Sequence, residues 1–216
     1  MISRTKLVRV FPVGTLVWRL RVHKKNEILS VPEGFASPSI EAAKQPNRMS
    51  PAGVPMFYGA DDFNTALLEL VDPSDAIGKF VSGALFRNVN PINLLDLTVI
   101  PPPPSFFSPG GPLIRHGINF LEKFVYDLSQ PIQRDGLPHI EYVPTQVFTE
   151  FVRHIMKGPE KVPIHGIRYP SSKNGKSCYV IFATQDECLP DQHPLYMKLP
   201  QILEFMPGSV KTVEIP

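Results

Sequence analysis

Cysteine, tryptophan and charge are all scarce in this chain. Two cysteines, Cys178 and Cys188, among 216 residues build no disulfide framework, and their spacing fits no metal-ligand pattern. Cys178 sits in an apolar, strand-like run and reads as a small buried hydrophobe. Charged residues make up 19% and the formal net charge is +2. That balance leaves no large basic field of the kind that holds a nucleic-acid backbone. The lysines and arginines are dispersed, not clustered among aromatics, which argues against nucleic acid as a partner. A smaller, local anion site stays open. No apolar run approaches the ~20 residues of a membrane helix, and MISRTKLVRVF lacks the apolar core of a secretory signal. The expectation is a cytoplasmic protein that does not engage a membrane. Also absent are a Gly-rich phosphate loop and the HExxH, CxxC and GxSxG patterns. Metal catalysis therefore has no anchor, and no local motif supplies the partners of a serine nucleophile.

What is present in excess is proline, 25 residues, about twice the usual share. Proline removes a backbone donor and fixes φ, so long uninterrupted helices are excluded over much of the chain. Hydrophobic residues at 43% and this length predict one folded domain over residues 1–216. That domain stands alone or forms the C-terminal part of a longer polypeptide.

Residues 16–22, LVWRLRV, alternate as a half-buried strand, with Leu16, Trp18, Leu20 and Val22 on one face and Arg19 and Arg21 on the other. On chemistry alone the two arginines read as solvated. Residues 24–46 carry Pro32, Gly34, Pro38 and Pro46 with little periodicity, a loop with one helical turn over 39–44. Residues 47–69, NRMSPAGVPMFYGADDFNTALLE, are the richest stretch. Arg48 lies in a turn, Met56-Phe57-Tyr58 is a short strand that breaks at Gly59, and a helix restarts behind Asp61 and Asp62, good N-caps. Phe63, Leu67, Leu70 and Val71 define its buried face, which sets Glu69 roughly opposite, beside Asp62, Thr65 and Ala66. A guanidinium, a phenol and a carboxylate thus surround one strand-to-helix turn.

Residues 79–89 and 92–99 read as strands, and the prolines of 101–104 as a stiff, extended spacer. Helices are expected over 113–128 and 145–156, the second burying Val147, Phe148, Phe151, Val152 and Ile155. Residues 164–182, IHGIRYPSSKNGKSCYVIF, form a hairpin about an Asn-Gly turn, with Ser171 and Ser172 reading as turn serines. The tail about Pro207-Gly208 looks like a last hairpin.

Three ordered blocks, LVWRLRV with Arg19, NRMSPAGVPMFYGADDFNTALLE with Arg48, Tyr58 and Glu69, and IHGIRYPSSKNGKSCYVIF with Ser171, resemble the RES domain family. The resemblance implies a compact α/β (α+β) fold with a central β-sheet and flanking helices, related to ADP-ribosyltransferases. It implies a toxin-type enzyme that takes NAD+ as substrate, uses no metal, and cleaves the nicotinamide–ribose bond as a glycohydrolase, phosphorylase or ADP-ribosyltransferase. Its implied partners are a neutralising antitoxin protein and, for transfer chemistry, a protein acceptor of ADP-ribose; a homodimer stays open. Glu69, Arg48 and Tyr58 are then the catalytic candidates, and Arg19, Arg48, Tyr58 and Ser171 the NAD+-binding ones. The residue chemistry agrees. An arginine fork suits a pyrophosphate, and a carboxylate suits the cation-like ribose of such a cleavage. The competing reading is a non-catalytic protein- or nucleotide-binding module of the same fold.

Overall fold

The computed structural model describes residues 7–25, 27, 29–71, 79–129, 142–189 and 200–215. They form a mixed α/β fold on one nine-stranded sheet. The strands are β1 (Val8–Phe11), β2 (Leu16–His23), β3 (Phe57–Ala60), β4 (Phe80–Asn88), β5 (Ile92–Asp96), β6 (Gly166–Pro170), β7 (Ser177–Ile181), β8 (Leu203–Phe205) and β9 (Lys211–Glu214). The helices are α1 (Pro32–Phe35), α2 (Phe63–Leu70), α3 (Gly111–Ser129) and α4 (Val143–His154).

The sheet runs β1-β5-β6-β7-β3-β2-β4-β8, with β9 also on β4. Only β5 and β6 pair in parallel, and the long connection that parallel neighbours require carries α3 and α4. The ladder between β2 and β4 is eight pairs long. By contrast, β2 and β3 register through one pair, Trp18 with Ala60. The sheet is therefore two leaves, β1-β5-β6-β7-β3 and β2-β4-β8-β9, joined at a narrow seam.

Alternation along the strands sends residues to opposite faces. Val17, Phe57, Phe86, Leu94, Tyr179 and Ile181 pack with Phe35, Cys188 and Phe205 on one face. On the other face, Leu95, Ile167 and Val180 pack with Leu121 and Phe124 of α3 and Phe148 and Val152 of α4. Beside them Leu20, Ala60 and Cys178 pack with Ala66 of α2.

Several expectations need correction. Gly59 lies inside β3 and does not break it. A side chain there would meet the Trp18 carbonyl at 2.7 Å and a Val17 methyl at 2.4 Å, so the seam demands glycine. The tail is no hairpin, because β8 and β9 both pair with β4. The turn expected over 39–44 is present, with the Ala42 and Ala43 amides donating to the Ser39 carbonyl at 3.1 and 2.9 Å, and the loop also carries α1, opened by Pro32 at its first position. α4 turns Thr145, Gln146, Phe148, Thr149 and Val152 inward and leaves Val147, Phe151 and Ile155 exposed. Val147 and Phe151 line an apolar groove of about 690 Å³ with Leu113, Phe120, Phe148 and Met156.

Candidate functional site

Glu69 owes its position to the first turn of α2. Asp62 caps the helix, its carboxylate accepting from the Thr65 amide at 3.0 Å and the Thr65 hydroxyl at 2.8 Å. Residues 62, 65, 66 and 69 share one helix face. Thr65 and Ala66 are buried while Leu70 is 39% exposed. Glu69 therefore does not lie opposite the buried face, as the apolar spacing suggested, but continues it to its rim. There Oε1 accepts a 2.5 Å hydrogen bond from Ser171 Oγ.

Ser171 is no ordinary turn serine. It is 5% exposed, and its own turn is bonded from within. Its amide donates to the Lys176 carbonyl at 2.6 Å, its carbonyl accepts from Gly175 at 3.0 Å, and its Oγ accepts from the Lys173 amide at 3.1 Å. The hairpin is also latched to α2. Asn174 Nδ2 donates to Thr65 Oγ1 at 2.9 Å, and Lys176 Nζ lies 3.2 Å from Asp62 Oδ2. Three ties between hairpin and helix fix the serine–glutamate pair.

Tyr58 and Arg48 approach from the other side. The Tyr58 hydroxyl donates to Ser50 Oγ at 2.8 Å. Burial pushes this phenol up to about 12, although the Ser50 bond and the Arg19 charge pull the other way. Residues 47–50 form a tight turn gripped by α4. Gln146 Nε2 donates to the Asn47 and Ser50 carbonyls at 2.8 and 3.2 Å, and the Thr145 hydroxyl donates to the Arg48 carbonyl. The Arg48 guanidinium donates to the Leu128 carbonyl in the last turn of α3, where the helix dipole favours a cation.

Between these two halves stands Tyr169 of β6, which the sequence reading did not single out. Burial holds its phenol well above the usual tyrosine range. Cys178, Glu69 and Tyr58 add to that rise, and Arg48 opposes it. Its hydroxyl makes no hydrogen bond among the described residues. An un-ionised, unpaired donor thus sits within electrostatic reach of Glu69, Tyr58 and Arg48. The signal was faint, a tyrosine three residues before an Asn-bearing turn in an apolar strand.

Arg19 lies on the opposite face of β2 from Trp18 and Leu20, the residues that pack towards α2. Its Nη1 reaches across the seam and donates to the Tyr58 carbonyl at 2.8 Å, with the guanidinium 5.4 Å above the Phe57 ring. Arg21 donates to the Ala36 carbonyl at 2.8 Å. The reading of two solvated arginines is overturned, since both side chains are partly covered and the Nε atom of each is buried without a partner. Burial, then the Arg21 charge, lowers Arg19 to about 10.

A second network the sequence did not announce lies at the start of α2. Arg168 bridges buried Asp96 at 3.3 Å and Asp61 at 3.4 Å, beneath the Phe11 and Tyr179 rings, and the Tyr179 hydroxyl donates to Asp61. No group of three or more metal-ligating side chains occurs among the described residues, and none of their helices is long and apolar enough to cross a membrane.

A split sheet with a glutamate–serine pair on one face, two tyrosines beside it and an arginine crossing the seam defines a mixed α/β protein with a polar side-chain cluster where α2 meets the β6–β7 hairpin. The RES domain family model matches residues 16–200, most of the chain, and the chain belongs to the RES domain family. No curated protein and no solved structure matches it.

Proposed function

We propose that this protein is an NAD+-consuming enzyme of the toxin type that cleaves the nicotinamide–ribose bond. The observation that carries the reading is the Ser171–Glu69 bond of 2.5 Å, within electrostatic reach of the protonated phenol of Tyr169, in a chain of the RES family. As the bond to nicotinamide breaks, its electron pair returns to the pyridinium nitrogen, so the leaving group departs neutral and needs no general acid. The ribose left behind becomes cation-like, and a carboxylate beside it stabilises that charge.

In this reading Glu69 faces the ribose, and Ser171 orients Glu69 and hydrogen-bonds the ribose or the nicotinamide carboxamide. Tyr58 offers an aromatic face to the nicotinamide. Arg48 and Arg19 answer the negative charge of the dinucleotide. Water, phosphate or a protein side chain then takes the ADP-ribosyl group, and a neutralising antitoxin is the protein partner that the toxin reading brings with it. An ADP-ribosyltransferase-like arrangement of the bound dinucleotide belongs to the same proposal.

The test is incubation of the purified protein with NAD+, with and without phosphate, followed by chromatographic separation. Free nicotinamide supports the enzyme, and the partner product identifies the acceptor. Intact NAD+ under every condition, together with no NAD+ binding in a titration, removes the reading.

A further inference from the structure

The apolar groove between α3 and α4 takes no part in the site described above. The side of α4 turned to residues 47–50 carries Thr145 and Gln146, whereas Val147 and Phe151 face the groove. Its volume of about 690 Å³ is that of a formed binding cleft, which spans roughly 300–1,000 Å³. One wall holds an anomaly. Gly117 stands inside α3 between Leu113 and Phe120, where glycine costs about 1 kcal/mol against alanine. The side chain it lacks would project into the groove, so glycine keeps the groove open at that level.

The chain also carries something that fits. Phe106 and Phe107 precede α3, are 59% and 95% exposed, and lie edge to face with centroids 6.0 Å apart. The turn that presents them is bonded from within. The Ser108 amide and hydroxyl donate to the Ser105 carbonyl at 3.1 and 2.7 Å, and the Gly111 amide donates to the Ser108 carbonyl at 2.7 Å. A side chain at Gly111 would stand 3.2 Å from the Phe106 carbonyl, so this aromatic knob is folded back beside the first turn of α3. Leu113, at one end of the groove, belongs to that turn. Leu113, Phe120, Val147 and Ile155 are exposed as well. Together with the knob they bare an apolar area on the order of 800 Å². A monomer seldom leaves more than about 300–600 Å² uncovered in one patch, and 800 Å² is roughly what each partner gives to a stable interface.

We propose that this face is the contact between two copies of the chain related by a two-fold axis. The Phe106–Phe107 knob of each copy sits in the α3–α4 groove of the other. Knob and groove share one surface patch, so the contact is self-complementary and closes at two copies. A knob on the far side of the molecule would build an open chain instead. Inside the groove the incoming rings meet Phe120 and Phe151, and aromatic pairs of this kind add to the burial of area.

Sedimentation of the full chain across the micromolar range tests this, with wild type expected at twice the 24.2 kDa monomer. The double variant Phe106→Ser/Phe107→Ser removes the knob, and Gly117→Leu fills the groove. Each should weaken the dimer at least about tenfold, as loss of an aromatic anchor does. Neither should melt lower than wild type as a monomer, because the rings are solvent-exposed and leucine is the better helix former. Mixed in equal amounts, the two variants should form more dimer than either alone, since an intact knob then meets an open groove. A change that acted only on the fold would give no such rescue. Wild type that stays monomeric, a dimer that both variants leave intact, or a mixture no better than its components overturns the proposal. So does growth beyond two copies. Monomeric wild type that binds the apolar dye anilinonaphthalene sulfonate, with binding lost in Gly117→Leu, would overturn it in favour of an apolar segment of another protein.

Discussion

Glu69 reaches Ser171 because Asp62, Thr65 and Ala66, on the same side of α2, face the hairpin. Replacing it by Gln keeps the shape and removes the charge. Nicotinamide release should fall by about 100-fold or more, the scale of losing one electrostatic stabiliser, with an unchanged circular dichroism spectrum. Near-normal turnover in folded Glu69→Gln protein would remove Glu69 from the mechanism. Tyr169→Phe removes one unpaired hydroxyl and nothing that holds the fold. It should leave the melting temperature within a degree or two and lower kcat/KM for NAD+ by roughly 10-fold, the worth of one hydrogen bond to substrate. Equal kcat/KM in the two proteins would leave Tyr169 a wall residue. At this scale the sequence was informative about residue types and poor about neighbours. Glu69, Ser171, Tyr58, Arg48 and Arg19 all stood out in the three blocks. That Glu69 and Ser171 touch across 102 residues, or that Tyr169 stands between the two halves, depends on strand register and could not be read from spacing.

Strands with clean alternation were legible, and so was the hairpin at Asn174-Gly175. Helix faces were less so. In α4 the apolar positions Val147, Phe151 and Ile155 pointed to a buried stripe, yet the inward face carries Thr145, Gln146 and Thr149, because α4 must grip the backbone of residues 47–50 with polar side chains. Periodicity records apolar residues and is blind to that demand. Just ahead of β6, His165 gives a measurable handle. Its Nδ1 accepts from the Asn93 amide at 3.1 Å, and burial lowers its affinity for a proton below the ordinary value of 6.5. The unfolded chain therefore binds that proton more readily than the native one. The contribution of His165 is complete above pH 6.5 and declines as pH falls below it towards the folded value. Denaturant titrations of wild type and His165→Gln across pH 5 to 8 should show a steeper acid loss in wild type. Parallel curves would show that His165 does not titrate on unfolding.

The two leaves of the sheet meet where β2 and β3 share one registered pair, and Arg19 crosses that junction to the Tyr58 carbonyl. Gly59 permits the approach. Gly59→Ala would press a methyl against the Trp18 carbonyl, so it should destabilise the whole molecule by about 2–3 kcal/mol, seen as a lower denaturant midpoint with unchanged slope. A midpoint equal to wild type would show that the seam opens easily. The overall mixture of sheet and helices was foreseeable from the alternating strands and the two helical stretches. The seam itself was not, since nothing local in LVWRLRV says that a strand with eight pairs on one side has a single pair on the other.

Along the chain, β1 belongs to one leaf, β2 to the other, β3 to the first, β4 to the second, then β5, β6 and β7 to the first and β8 and β9 to the second. The halves are braided, and the polypeptide crosses their boundary repeatedly. No single proteolytic cut can release one half as a continuous fragment. A nick in any one loop leaves the remaining crossings to hold the braid, and a split-protein reporter made by dividing this chain at one point between β2 and β7 would place strands of both halves in each piece.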